Sequence, residues 1–139
     1  ERNDTEALEW LRRAAEQDEP EAMAQLATLL VEGGICPQDL SMARQWASRS
    51  AEAGSALGQR IYAEFLRRGE GGPLDGPGAV HWHTRARGQG DANSLLALGE
   101  IFRDGLPGVP PDRTRAREAF AEAARAGDTE VATAASAAP

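Results

Sequence analysis

The two histidines of the chain, His81 and His83, flank Trp82 and are the first residues whose chemistry suggests a site. Imidazole pairs commonly bind metal ions. On a helix, however, such pairs are spaced three or four residues apart, because positions two apart project in nearly opposite directions. The spacing therefore favours a surface position for both histidines, and we expect no metal or other cofactor.

The remaining candidates for chemistry have structural explanations. Cys36 is the only cysteine, so it forms neither an internal disulfide nor a cysteine-based metal site, and a turn thiol without a reactive role is expected. The glycines of residues 69–72 resemble a phosphate-binding loop only superficially, since no strand precedes them and the chain contains no lysine. We therefore predict no catalytic residues and a protein that is not an enzyme.

The net charge of the chain restricts the classes of partner that it can bind. Its 22 acidic residues outnumber 15 basic ones, all of them arginine, for a net charge of −7. Nucleic acids are bound through clustered positive charge, so a nucleic-acid partner is not expected. No apolar run approaches the length of a membrane span, and we expect no membrane insertion.

A pattern with a period of 36 residues explains most of the sequence. Small and apolar residues, a glycine-rich turn and a capping aspartate recur three times, with the aspartates at Asp39, Asp75 and Asp112; Pro107 is interpreted as a one-residue insertion that lengthens the last interval to 37. A period of this length predicts a solenoid of antiparallel helix pairs, in which each pair buries its apolar face only against its neighbours. We call the helix before each turn the first helix of its repeat and the helix after it the second helix.

The predicted fold is all-α, an α/α solenoid with a right-handed superhelix and about seven to eight helices in a single domain, residues 1–139. It divides into a half repeat (1–17), three repeats (18–53, 54–89 and 90–126) and a partial repeat (127–139). A new first helix is expected after Gly127, beginning with Val131 and Ala132.

The three tryptophans fall in phase and are expected to fill the seams of the stack. Trp46 should pack near Tyr62 and Leu66, and Trp82 near Leu98 and Phe102, with Trp10 as the third member of the series. At the equivalent position of the last repeat stands Ala119, where the neighbouring Phe120 is expected to supply the missing bulk. Arg87 replaces an inward alanine and should either snorkel or pair with an acid.

First helices line the concave surface of helical solenoids, so their outward residues form the candidate protein-binding groove. We expect a mixed floor with an excess of acids and with apolar anchor points at Leu57 and Ile61. A plain solvated face with stray hydrophobic residues is the alternative. The candidate groove residues are Gln25, Thr28, Glu32, Leu57, Ile61, Glu64, Arg68, Asn93, Ala97, Glu100 and Asp104.

The last full repeat resembles the Sel1-like repeat, a helix-turn-helix unit related to the tetratricopeptide repeat. The residues that carry the resemblance are Ala92, Leu98, Gly99, Phe102, Gly105, Gly108, Val109, Asp112, Ala116, Phe120, Ala123 and Ala124. The resemblance implies a scaffold or adaptor that binds another protein. The alternative is an immunity protein that neutralises a secreted bacterial toxin, such as a type VI secretion effector.

The same resemblance implies a bacterial protein, with the periplasm slightly favoured over the cytoplasm. The unfinished units at both ends leave apolar helix faces that missing residues or a second copy could cover, so a homo-oligomer is an additional expectation.

Overall fold

The computed structural model describes the backbone of residues 2–137 and the side chains of residues 3–127. Within the described backbone the chain forms seven α-helices and no strand beyond an isolated bridge between Leu106 and Val109. This confirms the all-α prediction. The helices are α1 (Arg2–Glu16), α2 (Pro20–Glu32), α3 (Leu40–Glu52), α4 (Ala56–Arg68), α5 (Gly76–Gly88), α6 (Ala92–Asp104) and α7 (Arg113–Ala137).

The recurring aspartates begin the helices, as the sequence predicts. The side chains of Asp39, Asp75 and Asp112 each accept a hydrogen bond from the backbone N–H three residues further on. This bond satisfies one of the amides that a helix start leaves without a partner. Asp91 does the same at the start of α6.

The first helices end at glycine. Gly33 and Gly69 follow α2 and α4 with φ of 72° and 68°, the left-handed conformation that turns the chain out of a helix at little cost in a residue without a side chain. After α4, the guanidinium of Arg44 on α3 donates to the carbonyls of Phe65, Glu70 and Pro73. An arginine of one helix therefore caps the end of the next.

Helices that are adjacent in sequence pack against each other along the stack. In addition α2 packs directly against α4, two first helices, whereas no two second helices make a comparable contact in the described part of the chain. This direct contact places the first helices α2 and α4 side by side.

Small side chains let the helices approach closely. Six alanines on α3, α4 and α5 are completely buried: Ala43, Ala47, Ala51, Ala63, Ala79 and Ala86. Larger residues join them in two clusters, one around Met23, Leu26 and Phe65 and the other around Leu66 and Ile101. The interior is therefore a series of seams between helices and not one central core.

The tryptophans follow the prediction only in part. Trp46 is half-buried and packs against the first cluster. The ring of Trp82 lies 5.8 Å from that of Tyr62, on the first helix of its own repeat. Trp10 is 71% exposed, so the expectation that it fills a seam is wrong. Trp82 packs beside Tyr62 of the first helix that precedes it, whereas no helix precedes α1 within the described residues.

The predicted neighbours of Trp82 also need correction. Leu98 and Phe102 line a pocket whose α5 wall consists of Val80, Thr84 and Arg87. Trp82 instead packs beside Tyr62 and against the second cluster. Trp82 therefore packs beside the first helix of its own repeat and also against a cluster that includes Ile101 of α6, the following first helix.

The predicted break at Gly127 is absent. Helix α7 runs without interruption from Arg113 to Ala137. A glycine inside a helix costs only about 1 kcal/mol, and the alanine-rich sequence on both sides favours the helix. Val131 and Ala132 therefore continue α7 and do not begin a new first helix; their side chains lie outside the described residues.

Candidate protein-binding groove

The two first helices α4 and α6 are joined to each other by pairs of charged side chains. The Arg67 guanidinium lies 3.0 Å from the Glu100 carboxylate across the two helices, and 3.4 Å from Glu64 on its own helix. Arg60 of α4 reaches Asp91, the cap of α6, at 3.0 Å. These pairs hold the two helices at a fixed separation and form the floor between them.

Two pockets lie side by side on this surface. One, of about 160 Å³, lies between the C-terminal part of α2 and α4 and is lined by Val31, Ile61, Phe65 and Arg68 among others. The other, of about 260 Å³, lies between α4 and α6. They share Arg60 and Glu64, so the two pockets are neighbours on either side of these α4 side chains. The second pocket is lined by Arg60, Glu64, Arg67, His83, Asn93, Leu96, Ala97 and Glu100.

His83 supports this floor from behind. Its ring is completely buried, with Nε2 2.9 Å from Glu64 Oε2 and Nδ1 3.0 Å from Ser94 Oγ. The predicted surface position of His83 is therefore wrong, whereas His81 is exposed as predicted. The reason is that His83 is four residues after the buried Ala79 and three before the buried Ala86, so helical spacing places it on the same buried face of α5.

Glu64, His83 and Ser94 follow one another in the order carboxylate, imidazole and hydroxyl, which resembles a catalytic triad. A nucleophile must be reached by its substrate, and Ser94 is completely buried. Its backbone N–H also donates to the cap Asp91, which holds it inside the first turn of α6. The arrangement is therefore a hydrogen-bond network that joins α4, α5 and α6.

The charges of the floor stabilise one another. Burial raises the pKa of Glu64, but the hydrogen bond and charge of His83, together with Arg67, outweigh it and lower that pKa below the usual 4.5. Burial lowers the pKa of Arg67, and the hydrogen bonds and charges of Glu100 and Glu64 more than compensate, so the pKa is raised. Glu64 therefore stays ionised to a lower pH than an ordinary glutamate.

The structure brings together six of the predicted groove residues, distributed over the two pockets: Ile61, Glu64, Arg68, Asn93, Ala97 and Glu100. The other five lie elsewhere on the first helices and line neither pocket. Gln25, Glu32 and Asp104 are exposed, Leu57 is half-buried, and the Thr28 hydroxyl donates to the Ala24 carbonyl within α2.

Sequence reasoning missed several residues of the floor, chiefly Arg60, Arg67 and Leu96. Arg60 and Arg67 are four residues before and three after Glu64, so helical spacing places them on its face. With them the lining of the two pockets carries equal numbers of basic and acidic residues, whereas a mixed floor with an excess of acids was expected. It consists of Arg60, Arg67 and Arg68 with Glu64, Glu70 and Glu100.

Leu96 is the exposed apolar residue of this floor. It is 45% exposed, whereas the predicted anchor Ile61 is half-buried and packs against the first cluster. The predicted groove residue Ala97 is nearly buried beside it. The apolar contact available to a partner therefore lies on α6 more than on α4.

Across the described side chains, no group of three or more His, Cys, Asp and Glu residues is arranged to hold a metal ion. A search of the described helices likewise finds none with the length and apolar character needed to cross a membrane.

The repeats in the sequence match a known family. The family described as Sel1 repeat matches four successive segments, residues 1–19, 20–55, 56–91 and 92–128. The chain belongs to the Sel1 repeat family. Each matched full repeat contains one first and one second helix, and the matched repeats begin two residues after the boundaries predicted from the sequence.

Solved Sel1 repeat structures confirm the fold. A Sel1 repeat protein from Oxalobacter formigenes is 30% identical, with a TM-score of 0.79 over 88% of this chain and 50% of that one. A protective antigen of uropathogenic Escherichia coli with the same repeat fold is 31% identical, with a TM-score of 0.83 over 89% of this chain and 26% of that one. Helical pairs stacked in this way are therefore the shared architecture.

Curated relatives are much longer proteins. An uncharacterised protein of Neisseria meningitidis serogroup B is 29% identical over 71% of this chain, and chitin synthase regulatory factor 3 of Schizosaccharomyces pombe is 36% identical over 66%. The chitin synthase regulator SKT5 of Malassezia restricta is 38% identical over 63%. The Sel1 repeat chain spans 21%, 10% and 6% of these relatives, respectively.

Proposed function

We propose that this Sel1 repeat chain is a non-catalytic protein-binding module, and that it holds a segment of a partner protein in the groove formed by its first helices. The observation that carries the proposal is the pair of neighbouring pockets on either side of Arg60 and Glu64 of α4, where an exposed leucine, Leu96, lies beside ion pairs whose charges are already balanced. An extended or helical segment can bury an apolar side chain there without leaving a charge unpaired.

The relatives support binding to a protein. Two of them are named as a regulatory factor and a regulator of chitin synthase, which is consistent with a role in binding proteins. In this chain the support for a groove comes from its own residues, which line the two pockets.

The groove is tested by comparing two exposed apolar positions. Leu96→Glu places a charge in the floor, whereas Met42→Glu places the same charge on the second helix α3, where Met42 is 42% exposed against 45% for Leu96. A partner is first captured with the wild-type chain, identified by mass spectrometry and purified. Because anchor residues dominate binding energy, we expect Leu96→Glu to weaken its binding by about tenfold or more and Met42→Glu to leave it unchanged.

Equal binding of wild type and Leu96→Glu, with both folded by circular dichroism, would place the partner on another surface. When the captured partner is an enzyme, its activity in the complex separates the two expected roles. An adaptor leaves the activity in place, and an inhibitor of a toxin abolishes it.

A further inference from the structure

The arginines of the groove on the first helices are already paired. Each arginine that lines either pocket has an acid within 3.0 to 3.5 Å. An acidic segment could bind them only by breaking an existing ion pair, which costs about as much as the new pair returns. The charges of the groove therefore favour a segment without acidic residues. The pairs are Arg60 with Asp91, Arg67 with Glu100 and Arg68 with Glu64.

Asn93 has hydrogen-bonding capacity that the chain itself does not use. It is exposed, it lines the pocket between α4 and α6, and its carboxamide makes no hydrogen bond within the described part of the chain. It precedes Leu96 by three residues, so both side chains lie on one face of α6. A carboxamide donates and accepts, as a peptide unit does. Peptide units inside an α-helix are already bonded to each other, so Asn93 favours an extended segment.

The size of the two pockets also favours an extended segment. They measure about 160 and 260 Å³, below the 300 to 1,000 Å³ that is usual for ligand sites. An α-helix with its side chains is about 10–12 Å across, too wide for either pocket. Each pocket therefore has room for a single side chain. The apolar contact is with the half-buried Val31 and Ile61 in one pocket and with Leu96 in the other.

The separation of the pockets selects one extended conformation. They lie on opposite sides of α4, so about one helix spacing, roughly 8–10 Å, separates them. In a polyproline II helix every third side chain returns to the same side after about 9 Å. In a β-strand the side chains on one side are only about 7 Å apart. The spacing of the pockets therefore matches polyproline II.

The larger cavity between α5, α6 and α7, of about 540 Å³, is occupied by contacts within the chain. On its floor Leu98 is only 2% exposed. On its rim Arg87 pairs with Glu122 at 2.7 and 2.9 Å, which confirms the expectation that this arginine pairs with an acid. Phe120 packs against Gly99 in the seam between α6 and α7, as expected from the sequence.

We propose that the groove binds a segment of a partner protein in the polyproline II conformation, with two apolar side chains three residues apart and no acidic residue between them. One apolar side chain enters the pocket of Val31 and Ile61, and the other contacts Leu96. The Asn93 carboxamide hydrogen-bonds to the main chain of the segment. This occupant rests on the proposed function, because it describes what the same groove holds.

The probe is the peptide acetyl-Gly-Leu-Pro-Pro-Leu-Gly-amide, in which the prolines hold the backbone near polyproline II and the leucines are three residues apart. In an NMR titration of methyl groups we expect saturable shifts at Val31, Ile61 and Leu96, with a Kd in about the millimolar range. The isomer acetyl-Gly-Leu-Pro-Leu-Pro-Gly-amide places its leucines two residues apart and reaches one pocket only. It should bind about fivefold more weakly.

The matched variants are Asn93→Ala in the groove and Gln45→Ala, which removes an exposed carboxamide from the second helix α3. Because one hydrogen bond is lost, Asn93→Ala should weaken binding of the first peptide about fivefold, and Gln45→Ala should leave it unchanged. Circular dichroism checks that both variants are folded.

Equal binding of the two peptides, equal binding by Asn93→Ala and wild type, or shifts that do not saturate or lie elsewhere would overturn this occupant. The proposed function is judged separately, by the captured partner. A partner whose binding depends on Leu96 leaves the groove in place even when the peptides fail. A partner that binds Leu96→Glu as well as wild type removes both the groove and its occupant.

Discussion

His83 is the residue at which three helices of the Sel1 repeat chain meet. Its two ring nitrogens contact Glu64 of α4 and Ser94 of α6 while its backbone belongs to α5. A buried polar side chain of this kind contributes little net stability when satisfied, but its removal takes a hydrogen-bond partner from the buried Ser94 hydroxyl and one of several partners from Glu64. The identity of this residue is therefore strongly constrained.

The two histidines provide a matched test of this position. His83→Ala should lower the free energy of unfolding by about 2–4 kcal/mol, since it removes a buried ring and two hydrogen bonds. His81→Ala removes an exposed ring that touches only the edge of Trp82 and should cost less than about 0.5 kcal/mol. Urea unfolding measures both, and equal losses would contradict the assignment of His83 to the interior.

Glu64 makes the stability of the chain depend on pH. Its folded pKa is lowered by His83 and Arg67 despite burial, so as the pH falls the unfolded chain takes up the proton first. The contribution of Glu64 is present above pH 4.5, its unfolded value, and is lost as the pH falls through the lower folded pKa. The stability gap between wild type and Glu64→Gln should therefore be largest near neutral pH and shrink below pH 4.5.

Unfolding by urea at a series of pH values from 7 to 3 measures this gap. A gap that stays constant or widens in acid would show that the Glu64 carboxylate is not stabilised in the folded chain.

For single helices, sequence signals that act within a few residues were sufficient to predict where three of the helices begin. A capping aspartate needs only its own helix start, and Asp39, Asp75 and Asp112 all cap as predicted. Contacts that depend on the distance between two helices could not be predicted from the sequence. Arg60 and Arg67 reach acids of α6 across a gap that no spacing within α4 reveals, and Gly127 ends no helix because its neighbours favour continuation.

Arg44 tests the contacts between helices at the same scale. Its guanidinium caps the C-terminal end of α4 from α3, and the methionine of Arg44→Met keeps the apolar stem but donates no hydrogen bond. We expect a loss of about 1–2 kcal/mol, as the exposed carbonyls of Glu70 and Pro73 regain water. Arg117→Met, at an exposed position of α7, serves as the control and should leave the thermal midpoint unchanged. A comparable loss in both variants would contradict the capping role.

At the scale of the whole molecule, the repeat period was enough to predict a solenoid, because 36-residue units that cannot bury their apolar faces alone must stack. The seams were harder to predict. The same tryptophan is half-buried in two units and exposed in the first, since burial depends on a neighbouring helix and not on the residue. The groove was only partly predictable for the same reason.

Because Trp82 and Trp10 differ in burial, replacing each with alanine should lower the free energy of unfolding by different amounts. Trp82→Ala should lower the free energy of unfolding by about 2–4 kcal/mol, because the indole packs beside Tyr62 and the second cluster. Trp10→Ala, at a position 71% exposed, should cost less than about 1 kcal/mol. Thermal unfolding followed by circular dichroism compares them, and a larger loss at Trp10 would mean that the stack is not assembled as described.

Site-specific photo-crosslinking determines whether the partner binds on the first helices. A photoreactive phenylalanine derivative is placed at Leu96 on α6 in one variant and at Met42 on α3 in another, two positions of nearly equal exposure. Our account predicts crosslinks to the partner from position 96 and none from position 42. Crosslinks from position 42 alone would contradict it, because the partner would then occupy the second helices.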